Sequence, residues 1–206
     1  MRDWQEWHGG YDVPGSILAR RLPVVQDRIR DALDGFPPGP VRVVSMCAGE
    51  GRDLLEVLTS HPRRADVSAW LVELDPGNAA QARARASQLP GVSVLVGDAA
   101  LTDNYLGRVP ADLVLMCGVF GNVTDADIHR TAATAPELCT PGGIVIWTRH
   151  RREPDLVPRL CRWYEEAGFE RVWVSDPSLD FGVGVHRFVG TPKPLVPGVR
   201  LFTFVR

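Results

Sequence analysis

Residues 43–55 read Val43-Val44-Ser45-Met46-Cys47-Ala48-Gly49-Glu50-Gly51-Arg52-Asp53-Leu54-Leu55, a β-branched run that enters a turn with two glycines and leaves it on helix-forming residues. A short run with no charged position fits a strand covered on both faces, and hence a parallel sheet. Working outward, the same pattern recurs. Strand-like runs cover Val41 to Met46, Val67 to Val72, Val92 to Val96, Leu113 to Cys117 and Ile144 to Thr148. Helical stretches begin at about Arg52 and cover Pro76 to Gln88, Asp125 to Leu138 and Asp155 to Ala167. Strands alternating with helices imply right-handed crossovers and an α/β, doubly wound, mostly parallel sheet. After the last helix come only strand-like segments, Phe169 to Val174, Val183 to Val189 and Val199 to Val205, so the sheet is expected to close with an antiparallel C-terminal hairpin.

Upstream, Ile17, Leu18, Leu22, Val25, Ile29 and Leu33 recur mostly at spacings of three and four behind the N-cap residue Ser16, and Gly35 with Pro37-Pro38-Gly39-Pro40 stops the pattern. This is an amphipathic helix with a stiff linker. Residues 1–14 hold Trp4, Trp7, His8 and Tyr11 without a period and read as an arm. With 206 residues and 45% hydrophobic content, a single domain is expected, 1–40 as arm and helix and 41–206 as core.

The net charge of -2 gives no general positive field for nucleic acid or anionic membranes, so neither is an expected partner. Cys47, Cys117, Cys139 and Cys161 lie far apart without a CxxC or a histidine at ligand spacing, so no metal site is expected and the thiols read as reduced. No apolar stretch is long enough to span a bilayer and the N-terminus has no signal core, so the expected compartment is the cytoplasm. Nothing in the sequence sets an oligomeric state.

In a doubly wound sheet the turn after the first strand sits at the carboxyl edge, where adenine-containing cofactors bind, and glycine there lets the backbone approach a ligand. A GxG turn by itself also serves packing. The second strand, however, ends in Trp70-Leu71-Val72-Glu73-Leu74-Asp75-Pro76, placing Glu73 where a carboxylate can accept both hydroxyls of a ribose and leaving Asp75 to cap the next helix. The third strand ends in Val94-Leu95-Val96-Gly97-Asp98-Ala99, with a second carboxylate placed to receive an adenine amino group. Three consecutive strands with a polar signature at the same end are hard to explain by packing alone.

These elements resemble the S-adenosylmethionine-dependent class I methyltransferases over about residues 41–176. Cys47-Ala48-Gly49-Glu50-Gly51 is similar to that family's glycine-rich first motif, Glu73-Leu74-Asp75-Pro76 to its acidic second motif, Gly97-Asp98-Ala99 to its adenine contact, and Ala111 to Phe120, with Cys117-Gly118, to its fourth strand. The resemblance implies a Rossmann-like seven-stranded sheet of order 3-2-1-4-5-7-6, S-adenosylmethionine as cofactor, and Ser45, Cys47, Ala48, Gly49, Gly51, Glu73, Leu74, Asp98, Ala99, Cys117 and Gly118 around it. Ser45 stands where the family usually has an acid and Cys47 where it has its first glycine. Cys117-Gly118-Val119-Phe120 departs from the Asn-Pro-Pro-aromatic signature of enzymes acting on adenine or glutamine nitrogens.

The implied strand order brings Cys47 and Cys117 to one pocket, either as a reactive pair or as two small wall residues. A methyl on a sulfonium is already activated, so positioning carries much of the catalysis and a base is needed only for a protonated acceptor. Candidates are His8, His150 and His186, with His150 best placed at the end of the fifth strand and Tyr11 as a hydrogen-bonding partner. Arg149, Arg151 and Arg152 flank His150 and could attract an anionic acceptor or simply form a solvated loop. The arm could cover the opening as a lid or seal the core with Trp4 and Trp7. The expected activity is methyl transfer to a small molecule. Two rivals are a nicotinamide-dependent oxidoreductase, which the missing third glycine after Gly51 disfavours, and a non-catalytic cofactor-binding protein.

Overall fold

The structure, a computed structural model, describes residues 9–205. Trp4, Trp7 and His8, assigned above to the arm, lie outside them. Strands β1 (Val41–Met46), β2 (Val67–Glu73), β3 (Val92–Val96), β4 (Ala111–Met116), β5 (Cys139–His150), β6 (Phe169–Val174) and β7 (Phe181–Phe188) form one sheet in the order β3-β2-β1-β4-β5-β7-β6. The first five are mutually parallel, and β7 runs antiparallel between β5 and β6. The doubly wound sheet with a C-terminal hairpin is therefore the observed fold.

Period-two alternation sends neighbouring residues to opposite faces. Val43, Leu113, Leu115, Ile144 and Ile146 pack under α1 (Ile17–Gly35) and α2 (Arg52–Ser60) through Val25, Ile29, Leu33, Leu54 and Leu58. Val44, Val114, Met116, Val145 and Trp147 pack under α4 (Asp125–Thr134) and α5 (Val157–Glu166) through Ile128, Ala132, Leu160 and Tyr164. Helix α3 (Pro76–Arg85) links β2 to β3. Ser16 caps α1 by accepting the Ala19 amide, an arrangement that typically contributes about 1 kcal/mol. The proline linker after α1 is held by Arg63, whose guanidinium donates to the carbonyls of Leu33, Phe36, Pro37 and Gly39.

Two expectations need correction. Strand β5 is longer than Ile144 to Thr148, because it starts at Cys139 beside Ala111 and passes an irregularity before Ile144 pairs with Leu113. The segment Val199 to Val205 is not a sheet strand; among the described residues it makes two isolated bridges, Leu101 with Arg200 and Val123 with Phe204. It runs past the carboxyl ends of β3 and β4, where no strand lies alongside to form a ladder. Burial of Leu201 and Phe202 gives it the apolar look of a strand. Among the described residues, no helix is long and apolar enough to cross a membrane.

Candidate functional site

The turn between β1 and α2 is built on left-handed residues at alternate positions, Cys47 at φ +51°, Gly49 at +57° and Gly51 at +71°. Glycine suits two of these positions, and a Cβ on Gly51 would lie 2.6 Å from Leu55 Cδ1. The turn is tied to the end of β2: the Ala48 amide donates to the Val72 carbonyl at 3.0 Å, and the Gly49 amide donates to Glu73 Oε2 at 2.8 Å. The Asp75 amide donates to Glu73 Oε1 at 2.8 Å, and Asp75 caps α3 by accepting from Asn78. Each Glu73 oxygen so keeps one further lone pair for a ligand.

At this edge of the sheet lies a cavity of about 250 Å³, lined by Tyr11, Cys47, Ala48, Glu50, Arg52, Asp53, Glu73, Leu74, Asp75, Pro76, Cys117, Gly118 and Phe204. Of the residues expected around a cofactor, Cys47, Ala48, Glu73, Leu74, Cys117 and Gly118 line it. Ser45, Gly49 and Gly51 do not: Ser45 is buried inside β1 between Leu71 and Leu115, and the two glycines shape the turn from behind. Asp98 and Ala99 also stand outside the lining. The Asp98 carboxylate pairs with Arg200 at 2.9 Å and accepts the Ala100 amide, so the late Val199 to Val205 segment occupies the group expected to meet an adenine.

Sequence reading missed Glu50, Arg52, Asp53, Asp75, Pro76 and Phe204 as lining residues. Asp53 has the clearest chemistry. Burial raises its carboxyl above the usual range against the opposing pull of the Leu54 amide, its own amide and Arg21, and it also accepts from the Cys117 thiol. Its signal in the sequence, an acid in the first turn of α2, is indistinguishable from an ordinary helix N-terminal acid. Arg52 joins Glu50 at 2.7 Å to Asp12 at 2.6 Å and lies 5.5 Å from the Tyr11 ring centre, latching the segment before α1 against the cavity. Burial pushes the Tyr11 phenol up, as it does, strongly, the thiols of Cys47 and Cys117. Neutral thiols are weak nucleophiles, which favours wall residues over a reactive pair.

A second cavity of about 150 Å³ adjoins the first and shares Gly118 with it; its other lining residues include Arg21, Thr148, Arg149, His150 and Arg152. His150 therefore belongs to this cavity and Tyr11 to the other. His150 Nδ1 accepts the Arg152 amide at 3.3 Å, so in the neutral ring Nε2 carries the proton, a donor's arrangement and not a base's. Arg151 is turned away, paired with Asp155 at 2.7 Å and donating to the Ser175 carbonyl. His186 is wholly buried, with Nδ1 accepting from Trp147 at 3.1 Å, and has a structural role.

No protein-family model and no curated protein matches the sequence. Solved structures do match its fold. A carbon methyltransferase, CurJ, aligns with a TM-score of 0.68 at 14% identity over 91% of this chain, which spans 59% of that protein's length. The fold is that of the class I methyltransferases. A TehB-like SAM-dependent methyltransferase from Corynebacterium glutamicum aligns at 0.62 and 16% identity, covering 92% of this chain and 96% of the other. Fibrillarin from Aeropyrum pernix, with natively bound S-adenosyl-L-methionine, aligns at 0.58 and 16% identity over 78% of this chain and 74% of its own.

Proposed function

We propose that this chain is an S-adenosylmethionine-dependent methyltransferase whose acceptor is a small molecule. The observation that carries the proposal is the cavity at the carboxyl edge of β1, β2 and β4, with Glu73 at its wall and its two carboxylate oxygens fixed by the Gly49 and Asp75 amides. The lining fits the group. Glu73 would take the ribose hydroxyls. Leu74, 58% exposed, and Pro76 offer apolar surface to the adenine. The ammonium of the methionine part needs an acid; Ser45 is out of reach inside β1, and Asp53 supplies one in the cavity. Among the described residues, four lining carboxylates, Glu50, Asp53, Glu73 and Asp75, against one cation, Arg52, suit a ligand that carries a sulfonium and an ammonium.

Bound S-adenosylmethionine supplies an activated methyl group. The chain's own contribution is positioning. The second cavity meets the first at Gly118, so an acceptor held there faces the cofactor cavity, with His150 on its wall. Its small volume and the net charge of -2 favour a small acceptor over a nucleic acid, which would call for an extended cationic face.

The test is a calorimetric titration of S-adenosylhomocysteine into the wild-type protein and Glu73→Ala, with nicotinamide adenine dinucleotide as control. Micromolar binding that falls by roughly fivefold or more, about 1 kcal/mol, in the folded variant supports the proposal. No binding by the wild type, or binding of the dinucleotide instead, overturns it.

A further inference from the structure

The two adjoining cavities have opposite electrostatic character. The first is lined by four carboxylates. Among the described residues the second is lined by Arg21, Arg149, Arg152 and His150 and by no carboxylate, its remaining polar groups being neutral. Arg21 and Arg149 are 7% and 8% exposed, so two guanidinium groups sit largely out of water. None of the three arginines forms an ion pair among the described residues. Arg149 donates through one terminal nitrogen to the Phe120 carbonyl, and its Nε is buried with no hydrogen-bond partner among the described residues.

A buried cation without a counter-charge is unfavourable, and Arg149 shows it: burial lowers its pKa and outweighs the opposing charges of Asp125 and Asp155, neither of which lines the cavity. Arg21 has a nearby acid in Asp53, but that carboxylate faces the first cavity and is itself made reluctant to ionise by burial. An anion entering the second cavity would relieve both costs at once. The planar guanidinium, with paired N–H donors, is the side chain best matched to a carboxylate or a phosphate.

We propose that the second cavity binds the anionic group, a carboxylate or a phosphate, of the methyl acceptor, held by Arg21, Arg149 and Arg152 with His150 as a further donor. This rests on the methyltransferase reading for the word acceptor, and on the cavity alone for the anion. The anionic group is the handle, and the atom to be methylated lies on the side of the molecule toward Gly118. An acidic acceptor also complements the positive sulfonium beyond that glycine, so its charge assists binding to the loaded enzyme.

The experiment is a calorimetric titration of benzoate, phenyl phosphate and the neutral control benzamide, at fixed ionic strength, into the protein alone and into protein saturated with S-adenosylhomocysteine. The same series is run on Arg152→Gln, at an exposed position, and on Arg149→Gln, with the folding of each checked by thermal melting. The expected result is binding of at least one anion and not of benzamide, weakened tenfold or more by either substitution. Preference between benzoate and phenyl phosphate reads which anion the site takes. Failure of both anions to bind a protein that still binds S-adenosylhomocysteine overturns the anion site and leaves the methyltransferase reading standing. Absence of S-adenosylhomocysteine binding removes that reading alone. In that case anion binding abolished by the substitutions still supports the site, and equal binding by all three proteins overturns it.

Discussion

The Gly49 amide donates to Glu73 Oε2 at 2.8 Å across 24 residues of sequence, so the glycine turn after β1 and the acid that ends β2 are one unit. Removing the carboxylate leaves the buried Gly49 amide and the part-buried Asp75 amide without their acceptors, a loss of about 1–3 kcal/mol for an unmet group that water does not reach. Glu73→Ala is therefore expected to be less stable than wild type in urea unfolding, and Glu73→Gln, which keeps a carbonyl oxygen, to recover part of the difference. Equal stability of the two variants would show that the hydrogen bonds do not hold the turn.

Cys47 adopts φ +51°, a left-handed conformation that disfavours any side chain with a Cβ by about 1–2 kcal/mol. Glycine at this position would be relaxed. Comparing Cys47→Gly with Cys47→Ala isolates the backbone, because both remove the sulfur. The glycine variant is expected to be the more stable by about 1 kcal/mol, the reverse of the usual alanine preference, and denaturant melts of the two would read it directly.

How far the site was legible follows from how local its signals are. The β1 turn, Glu73 and Asp75 each sit where an apolar run meets a polar break, a pattern visible within a dozen residues. The Asp98 pair with Arg200 and the seating of Phe204 on the cavity depend on contacts about a hundred residues apart, and no period in the sequence carries them. Val199 to Val205 looked like a strand because its hydrophobic residues are buried, yet burial against loops produces the same composition as burial in a ladder. His150 was correctly placed at the end of β5, but its tautomer depends on the Arg152 amide, which only the turn after the strand reveals.

His186 reports on pH. Burial, with a smaller push from Arg171, moves its imidazole from 6.5 down to about 3. Between those values the unfolded chain takes up a proton that the folded protein refuses. Stability from this residue is thus complete above pH 6.5 and declines as pH falls toward about 3, with a slope of at most about 1.4 kcal/mol per pH unit. His186→Gln, which keeps an acceptor for the Trp147 indole, should show a flatter profile. Urea unfolding at several pH values from 7 to 4 should find the stability gap between wild type and variant narrowing as pH falls; parallel curves would exclude His186 as the cause.

Asp53 separates binding from stability. Its carboxyl is raised because burial outweighs the amides and Arg21 that favour its charge, so in the protein alone the ionised form is held at a net disadvantage. Replacing it with asparagine keeps an oxygen for the Leu54 amide and removes the buried charge. Asp53→Asn is therefore expected to melt no lower than wild type. If Asp53 faces the ammonium of the cofactor, the same substitution should weaken S-adenosylhomocysteine binding by tenfold or more. The wild-type affinity should rise with pH as Asp53 ionises, and the variant should lack that rise. Calorimetry over a pH series alongside thermal melts checks both halves: weaker binding with unchanged stability assigns Asp53 to the ligand, whereas a lower melting temperature with unchanged affinity would assign it to the fold.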